Sequence, residues 1–470
     1  MSDIAPIAPE TPIGGRLRRP DGGFYAPKRG VTGWILFDPA VQPFFTLITT
    51  FVFAPYFVAA VAPDAVTGQA LWGYATGAAG LVIALSSPFL GAVADASGRR
   101  KPWIASFGLM MVLACAALWF VAPGRTDLIP LALVAFAVAT IGAEFATVFN
   151  NSMMPDLVPP ERLGRLSGTG WAAGYAGGLV SLALMLGLFA ADPGTGKTLA
   201  GLDPAFGLDA AAREGDRASG PFSALWFLLL ALPMFLFTPD APKRLPFRAA
   251  LVAGAKQLKA TLAALPGQRN AAFFLAANMI YTDGLIALFA FGGIYAVGAF
   301  GWGTIEIGLF GILLTLTGTI GAFVGGRLDD RLGPKAVVTG ALVLLITAAL
   351  GILSIDGEHV LFVVEVGGPA PGDGLFASTS ERLYILFGIV IGIAAGPLQA
   401  ASRSLLVRVA PAGQTAEFFG LFALTGKITS FMGPLLVGLV TDLTGSQRLG
   451  LVPLVAFFAI GLTLLRRVRA

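Results

Sequence analysis

The chain has 470 residues, of which 56% are apolar and only 12% charged, with a formal charge of +4. A soluble domain carries about twice that charged fraction, so the composition excludes a water-soluble enzyme and points to a protein solvated by lipid. A single cysteine (Cys115) excludes an intramolecular disulfide, and a single histidine (His359) excludes histidine-rich metal chemistry.

The first residues, 1–31, are Pro/Gly-rich and basic without the apolar core of a cleavable signal, and read as a cytoplasmic tail. Twelve apolar stretches follow, each long enough to cross ~30 Å of hydrocarbon. They lie near 33–62, 70–94, 103–123, 129–154, 166–190 and 220–238, then near 271–298, 304–326, 336–354, 383–406, 416–440 and 449–465. The expected fold is therefore an all-α membrane protein of twelve transmembrane helices. Sixty-one glycines suit helices packed closely in a membrane. Residues 32–238 and 271–470 form the two halves, and 239–270 the connection, with one amphipathic stretch near 247–264 expected to lie on the membrane surface. The loop 355–382 is β-prone in "HVLFVVEV" and turn-rich in "GGPAPGDG", which predicts a short hairpin.

Of the 31 Lys and Arg residues, twenty-four fall on the side of the termini, six on the other, and Lys427 lies inside a span. By the positive-inside rule both termini are cytoplasmic, as expected of a multi-pass protein, with the bacterial inner membrane as its location. That bias accounts for the pI of 9.3 without a nucleic-acid partner.

Two turns repeat. "GAVADASGRRK" (91–101) joins spans 2 and 3, and "GRLDDRLGPK" (326–335) joins spans 8 and 9. Gly91, Asp95 and Gly98 match Gly326, Asp330 and Gly333 at a constant offset of 235, half the chain. The glycines permit close helix approach and sharp reversal. The acids suit the positive N-terminus of a neighbouring helix, and the bases, Arg99 and Arg331 among them, suit pairing with acids across the boundary between halves. Asp95, Arg99, Asp330 and Arg331 are the gating candidates. A second repeat aligns Asn151 with Arg403, Pro159 with Pro411 and Tyr175 with Lys427 at an offset of 252. The longer external loop of the second half accounts for the difference.

The duplicated turn resembles the signature loop of the major facilitator superfamily. Finer strings are similar to its autophagy-related vacuolar effluxer branch: "WILFDPAVQPFF", "FNNSMMPDLVPPERLGRLSGTGWAAGYAGG", "YTDGLIALFAFGGIYAVG" and "QAASRSLLVRVAPAGQTAEFFGLFALTGKITSFMGPLL". The first departs from that branch's Tyr-Asp-Trp-Ala-Asn pattern, reading Phe37, Asp38, Pro39, Ala40, Val41. The resemblance implies two pseudo-symmetric six-helix bundles, a midplane site between them and cavity walls from spans 1, 4, 7 and 10. Fungal members of the branch are associated with amino-acid efflux from the vacuole.

An ionisable group at the bilayer centre costs at least ~2.5 kcal/mol, so each one needs a cavity or a partner. Those within spans are Asp38 (span 1), Glu144 (span 4), Asp283 (span 7) and Lys427 (span 11), with Arg403 toward the cytoplasmic end of span 10. Helical spacing joins Asp38 to Gln42 and Thr46, and Glu144 to Thr140, Thr147 and Asn151. Gln399 shares a face with Ser402 and Arg403, and Asn278 with Tyr281 and Thr282. Pro39 is expected to kink span 1. Together with Tyr175 these polar residues make the candidate solute site. Lys427 lies about twelve residues into its span, ~18 Å deep, beyond the reach of snorkelling, and is expected to enter the central cavity opposite Asp283 or Glu144. Helix-end bonding or purely interhelical bonding stays open as the alternative for each of these groups.

No cofactor, metal or hydrolytic motif is present. "GTGKT" at 194–198 has Ala191 where a phosphate loop needs its first glycine, and it follows a membrane span. The expected function is not enzymatic but secondary transport of a small polar, zwitterionic solute such as an amino acid or small peptide, with protons as a candidate coupling ion. An exporter or flippase of amphipathic compounds or lipids on the same fold, and a non-transporting receptor or assembly factor, are the alternatives.

Overall fold

The computed structural model describes residues 23–302, 304–367 and 375–469. Most of the expected N-terminal tail lies outside them. Twelve helical segments are long and apolar enough to cross a membrane. In the first half they are Lys28–Val61, Leu71–Ser97, Lys101–Phe120, Thr126–Asn151, Pro160–Phe189 and Glu214–Phe237. In the second they are Arg269–Phe300, Leu309–Leu332, Pro334–Leu353, Thr379–Val409, Thr415–Thr444 and Gln447–Arg466. They are spans 1 to 12 below. Each expected stretch falls on one span, offset by a few residues. An even number of crossings returns the chain to its starting face, called here the terminal face. The outer surface is apolar: Leu225, Leu229, Leu232 and Leu236 of span 6 are all exposed, as suits contact with lipid.

Within a half, spans 3 and 4, 8 and 10, 9 and 10, and 7 and 12 pack together. Between halves the contact runs through spans 2 with 11 and 5 with 8. Small residues bring these pairs close. A methyl on Gly168 of span 5 would lie 2.6 Å from Cα of Gly326 on span 8. Across spans 2 and 11, the Ser87 hydroxyl donates to the Gly420 carbonyl at 2.9 Å.

Span 1 is irregular, with helix over Lys28–Ile35, a turn at Leu36, helix again over Phe37–Pro43 and a π-helical stretch over Phe44–Phe51. Pro39 has no amide to offer the Ile35 carbonyl, which accounts for an interruption beside it. Span 11 is also broken. Helix runs over Thr415–Ile428 and Met432–Thr444, with a turn between. The expected amphipathic stretch is a helix over Phe247–Ala264, packed on span 2 at the terminal face, with Gln257 donating to Glu417 of span 11 at 2.6 Å.

The external loop holds an antiparallel pair, His359–Val360 with Val364–Glu365. The turn differs from the sequence expectation. Leu361 and Phe362 reverse the chain at φ 52° and 70° inside "HVLFVVEV" itself, and most of "GGPAPGDG" falls outside the described residues.

Candidate functional site

The two signature turns have the geometry their glycines allow. Gly98 and Gly333 both take positive φ, 88° and 84°. Asp95 accepts the amides of Ala416 and Glu417 at 3.1 and 2.7 Å, at the N-terminus of span 11. Asp330 accepts the amide of Arg165 at 2.9 Å, in the first turn of the helix of span 5. Each acid therefore holds a helix start in the opposite half, as a helix dipole favours.

The bases differ from the sequence reading. Arg99 is exposed, and Arg100 instead turns back to pair with Asp95. Arg331 is exposed as well, whereas Arg165 pairs with Asp330 at 3.1 Å from the other half. Lys101 donates to the Phe235 carbonyl at 2.8 Å, and Lys335 to the carbonyls of Arg466 and Val468. These lysines meet the negative C-termini of spans 6 and 12, which provide a closer partner than any acid across the boundary. Asp329, beside Asp330, is the more buried acid and accepts from Ser404.

Between the halves lies a cavity of about 340 Å³. Its polar wall comes from Glu144, Thr147 and Asn151 of span 4, Asn278, Tyr281 and Thr282 of span 7, Gln399, Ser402 and Arg403 of span 10, and Lys427. Leu285, Ile286, Phe289, Phe419 and Phe422 supply an apolar wall. At the end nearer the terminal face, Arg403 is almost fully buried and spends its donors across the boundary. It reaches Asp38 Oδ2 at 3.2 and 3.3 Å, Asn151 Oδ1 at 3.0 Å, and Ser167 Oγ and carbonyl O at 3.0 and 2.8 Å. Its guanidinium also stacks 4.6 Å from the Trp171 ring. Asn151 and Arg403, equivalent by the internal repeat, thus touch each other.

Seven residues from Asn151 along span 4, about 10 Å, Lys427 Nζ bonds Glu144 Oε1 at 2.7 Å. The lysine is the penultimate residue of the first helical piece of span 11, where the helix C-terminus favours a cation. Its side chain keeps 35% of its surface accessible at this depth, and Glu144 keeps 20%. That exposure is to the cavity. The expected partner is therefore found on span 4, in the opposite half. Between the two ion pairs, Gln399 donates to Tyr175 Oη at 3.0 Å, and Tyr281 shares a proton with Ser402 at 2.7 Å.

Four candidates do not line the cavity. Asp38 sits behind Arg403 as its counter-ion. Gln42 is aimed at span 5, where a methyl on Gly178 would meet its Cγ at 3.0 Å; the glycines of "GTGWAAGYAGG" make room for that face of span 1. Tyr175 reaches the site only through Gln399. Asp283 is buried against span 11 and takes no part in the Lys427 pair. Sequence reasoning missed Ser167 and Trp171, and took Arg99 rather than its neighbour Arg100 as the gating base. The recurrence of Ser167, Trp171 and Tyr175 every four residues was the available signal for the first two.

Comparison with known proteins agrees with this architecture. The family model described as "Vacuole effluxer Atg22 like" matches residues 57–470. An uncharacterized MFS-type transporter of Bacillus subtilis, YxiO, is 25% identical over 92% of this chain and 93% of its own length. Autophagy-related protein 22 of Cryptococcus neoformans is 29% identical over 65% of this chain, a match spanning half of the fungal protein. Among solved structures, the transporter FucP in its outward conformation covers 94% of this chain and 98% of its own at TM-score 0.67 and 16% identity. The human organic anion transporter MFSD10 covers 93% of this chain and 99% of its own at TM-score 0.66 and 18% identity. The chain is an integral multi-pass membrane protein with the major facilitator fold, and it belongs to the Atg22-like family of MFS-type transporters.

Proposed function

We propose that the protein moves a small zwitterionic solute by alternating access, with Lys427 and Glu144 as its recognition pair. The observation that carries this reading is the Lys427–Glu144 bond itself, which spans the two halves at the cavity wall while leaving both side chains partly accessible. A solute carboxylate competes for the ammonium and a solute ammonium for the carboxylate, so occupancy exchanges one ion pair between the halves for two pairs through the solute. A cavity of about 340 Å³ suits an amino acid or a very small peptide, near the lower end of ligand pockets. Asn278, Tyr281 and Gln399 supply neutral donors and acceptors around it. Asp38–Arg403 is the floor, and Asp95 and Asp330 act as latches that keep that end shut.

The distribution of Lys and Arg supports placing the terminal face in the cytoplasm. With the latches made on that face, the molecule is then in an outward-facing state. The full-length bacterial relative supports a bacterial membrane over a vacuole as its location. The buried carboxylates support coupling to an ion, protons among them.

The test is a melting-temperature screen of amino acids, dipeptides and sugars on the purified protein, followed by flux of the best stabiliser in proteoliposomes. A zwitterionic hit that Lys427→Ala abolishes supports the reading. Stabilisation by amphipathic cations or lipids alone would favour the apolar wall as the recognition surface and an exporter in its place.

A further inference from the structure

Asp38 and Glu144 each face a basic side chain, at 3.2 and 2.7 Å. Asp283 does not. It is 2% exposed, no ion pair reaches it among the described residues, and its Oδ1 has no hydrogen-bond partner. The neighbouring elements offer it no charge: span 12 packs Phe457 and Phe458 beside Gly284, and the Lys427 ammonium of span 11 is committed to Glu144. Arg403 of span 10 is held by Asp38, and Arg448, in the first turn of span 12, by Asp356. Span 11 packs directly on Asp283, where a methyl on Gly433 would lie 2.5 Å from the Asp283 carbonyl oxygen, and the hydroxyl of Thr429 faces the carboxylate, its Oγ1 also buried and unbonded. Thr429 lies in the break of span 11, where the regular ladder gives way to bonds from Ser430 N to Lys427 O at 3.3 Å and from Met432 N to Thr429 O at 2.7 Å. A bare carboxylate in low dielectric is too costly to persist without a counter-charge. Unwound carbonyls and half-helix C-termini are where transporters hold small cations.

We propose that Asp283 and Thr429 form a small-cation site at the break in span 11, taking a sodium ion or a proton. A sodium ion bridges the carboxylate, the hydroxyl and the backbone carbonyls of the break. A proton from solvent on Oδ1 makes the acid a donor to Thr429 Oγ1, so that both orphan atoms are satisfied in one step. Either cation acts two residues from Lys427 and on the residue after Thr282 of the cavity wall. Its place as coupling ion rests on the transport reading, whereas the site itself does not.

The test needs no solute. The full-length protein in lipid nanodiscs is melted in choline chloride and in sodium chloride at equal ionic strength, and proton uptake is measured by titration in sodium-free, weakly buffered solution. A saturable rise in melting temperature with sodium, lost in both Asp283→Asn and Thr429→Val and kept in Thr429→Ser, identifies sodium. No sodium effect, with wild type taking up one proton that Asp283→Asn does not, and Thr429→Val moving the midpoint of that uptake, identifies a proton. A wild type indifferent to both, or a cation response that Thr429→Val leaves unaltered, overturns the proposal. If Asp283→Asn does not fold, Thr429→Val and Thr429→Ser give the same reading. Failure of every solute in the stability screen, with the cation response intact, would reject the transport assignment and leave this site standing.

Discussion

Arg165 and Glu417 stand 252 residues apart and hold the same position in the two halves: the main-chain amide of each is bonded to the signature-turn acid of the opposite half, at 2.9 and 2.7 Å. The acids, Asp330 and Asp95, differ by the other repeat offset, 235. Two independent registers therefore meet in one pair of hydrogen bonds. The closed end of the molecule is held twice by the same device.

Asp95→Asn keeps an oxygen but loses its charge, and with it the charge-assisted part of two amide bonds and the Arg100 pair. Such bonds contribute about 1.5–3 kcal/mol each, and about 1.4 kcal/mol is tenfold in population. The population is expected to shift about tenfold or more toward the state open at the terminal face. Cysteine accessibility on both faces measures it, and unchanged labelling would leave the turn a purely topological feature.

Lys427→Ala strands Glu144. Because the cavity leaves both partners partly wet, the stability cost should be about 1–3 kcal/mol, below the 3–5 kcal/mol of a fully buried pair. The variant should still fold in detergent, and solute-induced stabilisation should vanish. Restoring neutrality with Glu144→Gln in the same chain should recover stability without recovering binding, a double-mutant cycle read by melting.

Arg403→Lys is not conservative here. The lysine keeps a charge for Asp38 but cannot also reach Asn151 and both Ser167 oxygens, which the planar guanidinium spans. A loss of about 2–4 kcal/mol is expected, close to that of Asp38→Asn. A lysine variant as stable as wild type would show that charge alone matters at the floor.

Gly98 and Gly333 share a positive φ outside the left-handed helical well, so alanine strains both by about 1–3 kcal/mol. Only Gly98 also has the Pro242 carbonyl pressed against it, whereas nothing stands within 4 Å of the position a methyl would take on Gly333. Gly98→Ala should therefore lower the melting temperature more than Gly333→Ala. Equal losses would mean that strain, not packing, governs both turns.

On the opposite face, burial raises the Asp356 carboxyl, but the amides of Glu358 and His359 and the His359 ring outweigh it, leaving it below the usual carboxylate value. A depressed carboxyl stabilises its surroundings above its unfolded value, about 3.9, and that contribution is lost as pH falls through the folded one. The His359–Asp356–Arg448 attachment of the hairpin should thus persist at neutral pH and loosen only below about pH 4. Amide exchange over residues 356–366 would report it, and exchange that stays slow through that range would count against the anchor.

Much of this architecture is legible in the residues. Repeats and hydropathy carry the twelve spans, the duplicated turns and the linker helix, because those depend on local spacing alone. Helical periodicity also places Asp38, Gln42 and Thr46 on one face, but a face has two neighbours. The choice between the cavity and span 5 was made by Gly174 and Gly178, 136 residues on from Asp38 and Gln42, which only packing reveals. Asp283 and Glu144 looked equivalent as partners for Lys427. Their difference lies in the break of span 11, which Pro434 marks by having no amide for the Ser430 carbonyl, although that mark does not say which acid the break faces. The exchange of Arg99 for Arg100 is a matter of one residue of rotation at a helix end, finer than a motif can specify.

The break in span 11 has a mechanical consequence. Its first piece, Thr415–Ile428, carries both the latch amide of Glu417 and the ammonium of Lys427, and is packed across the boundary on span 2. Its second piece, Met432–Thr444, buries only Gly433 and Val437. The two pieces are joined by a turn rather than by one continuous helix. If the protein cycles as proposed, bending there would let the second piece move while the first stays clamped on span 2, so that closing over a solute and release of the clamp would be separate steps.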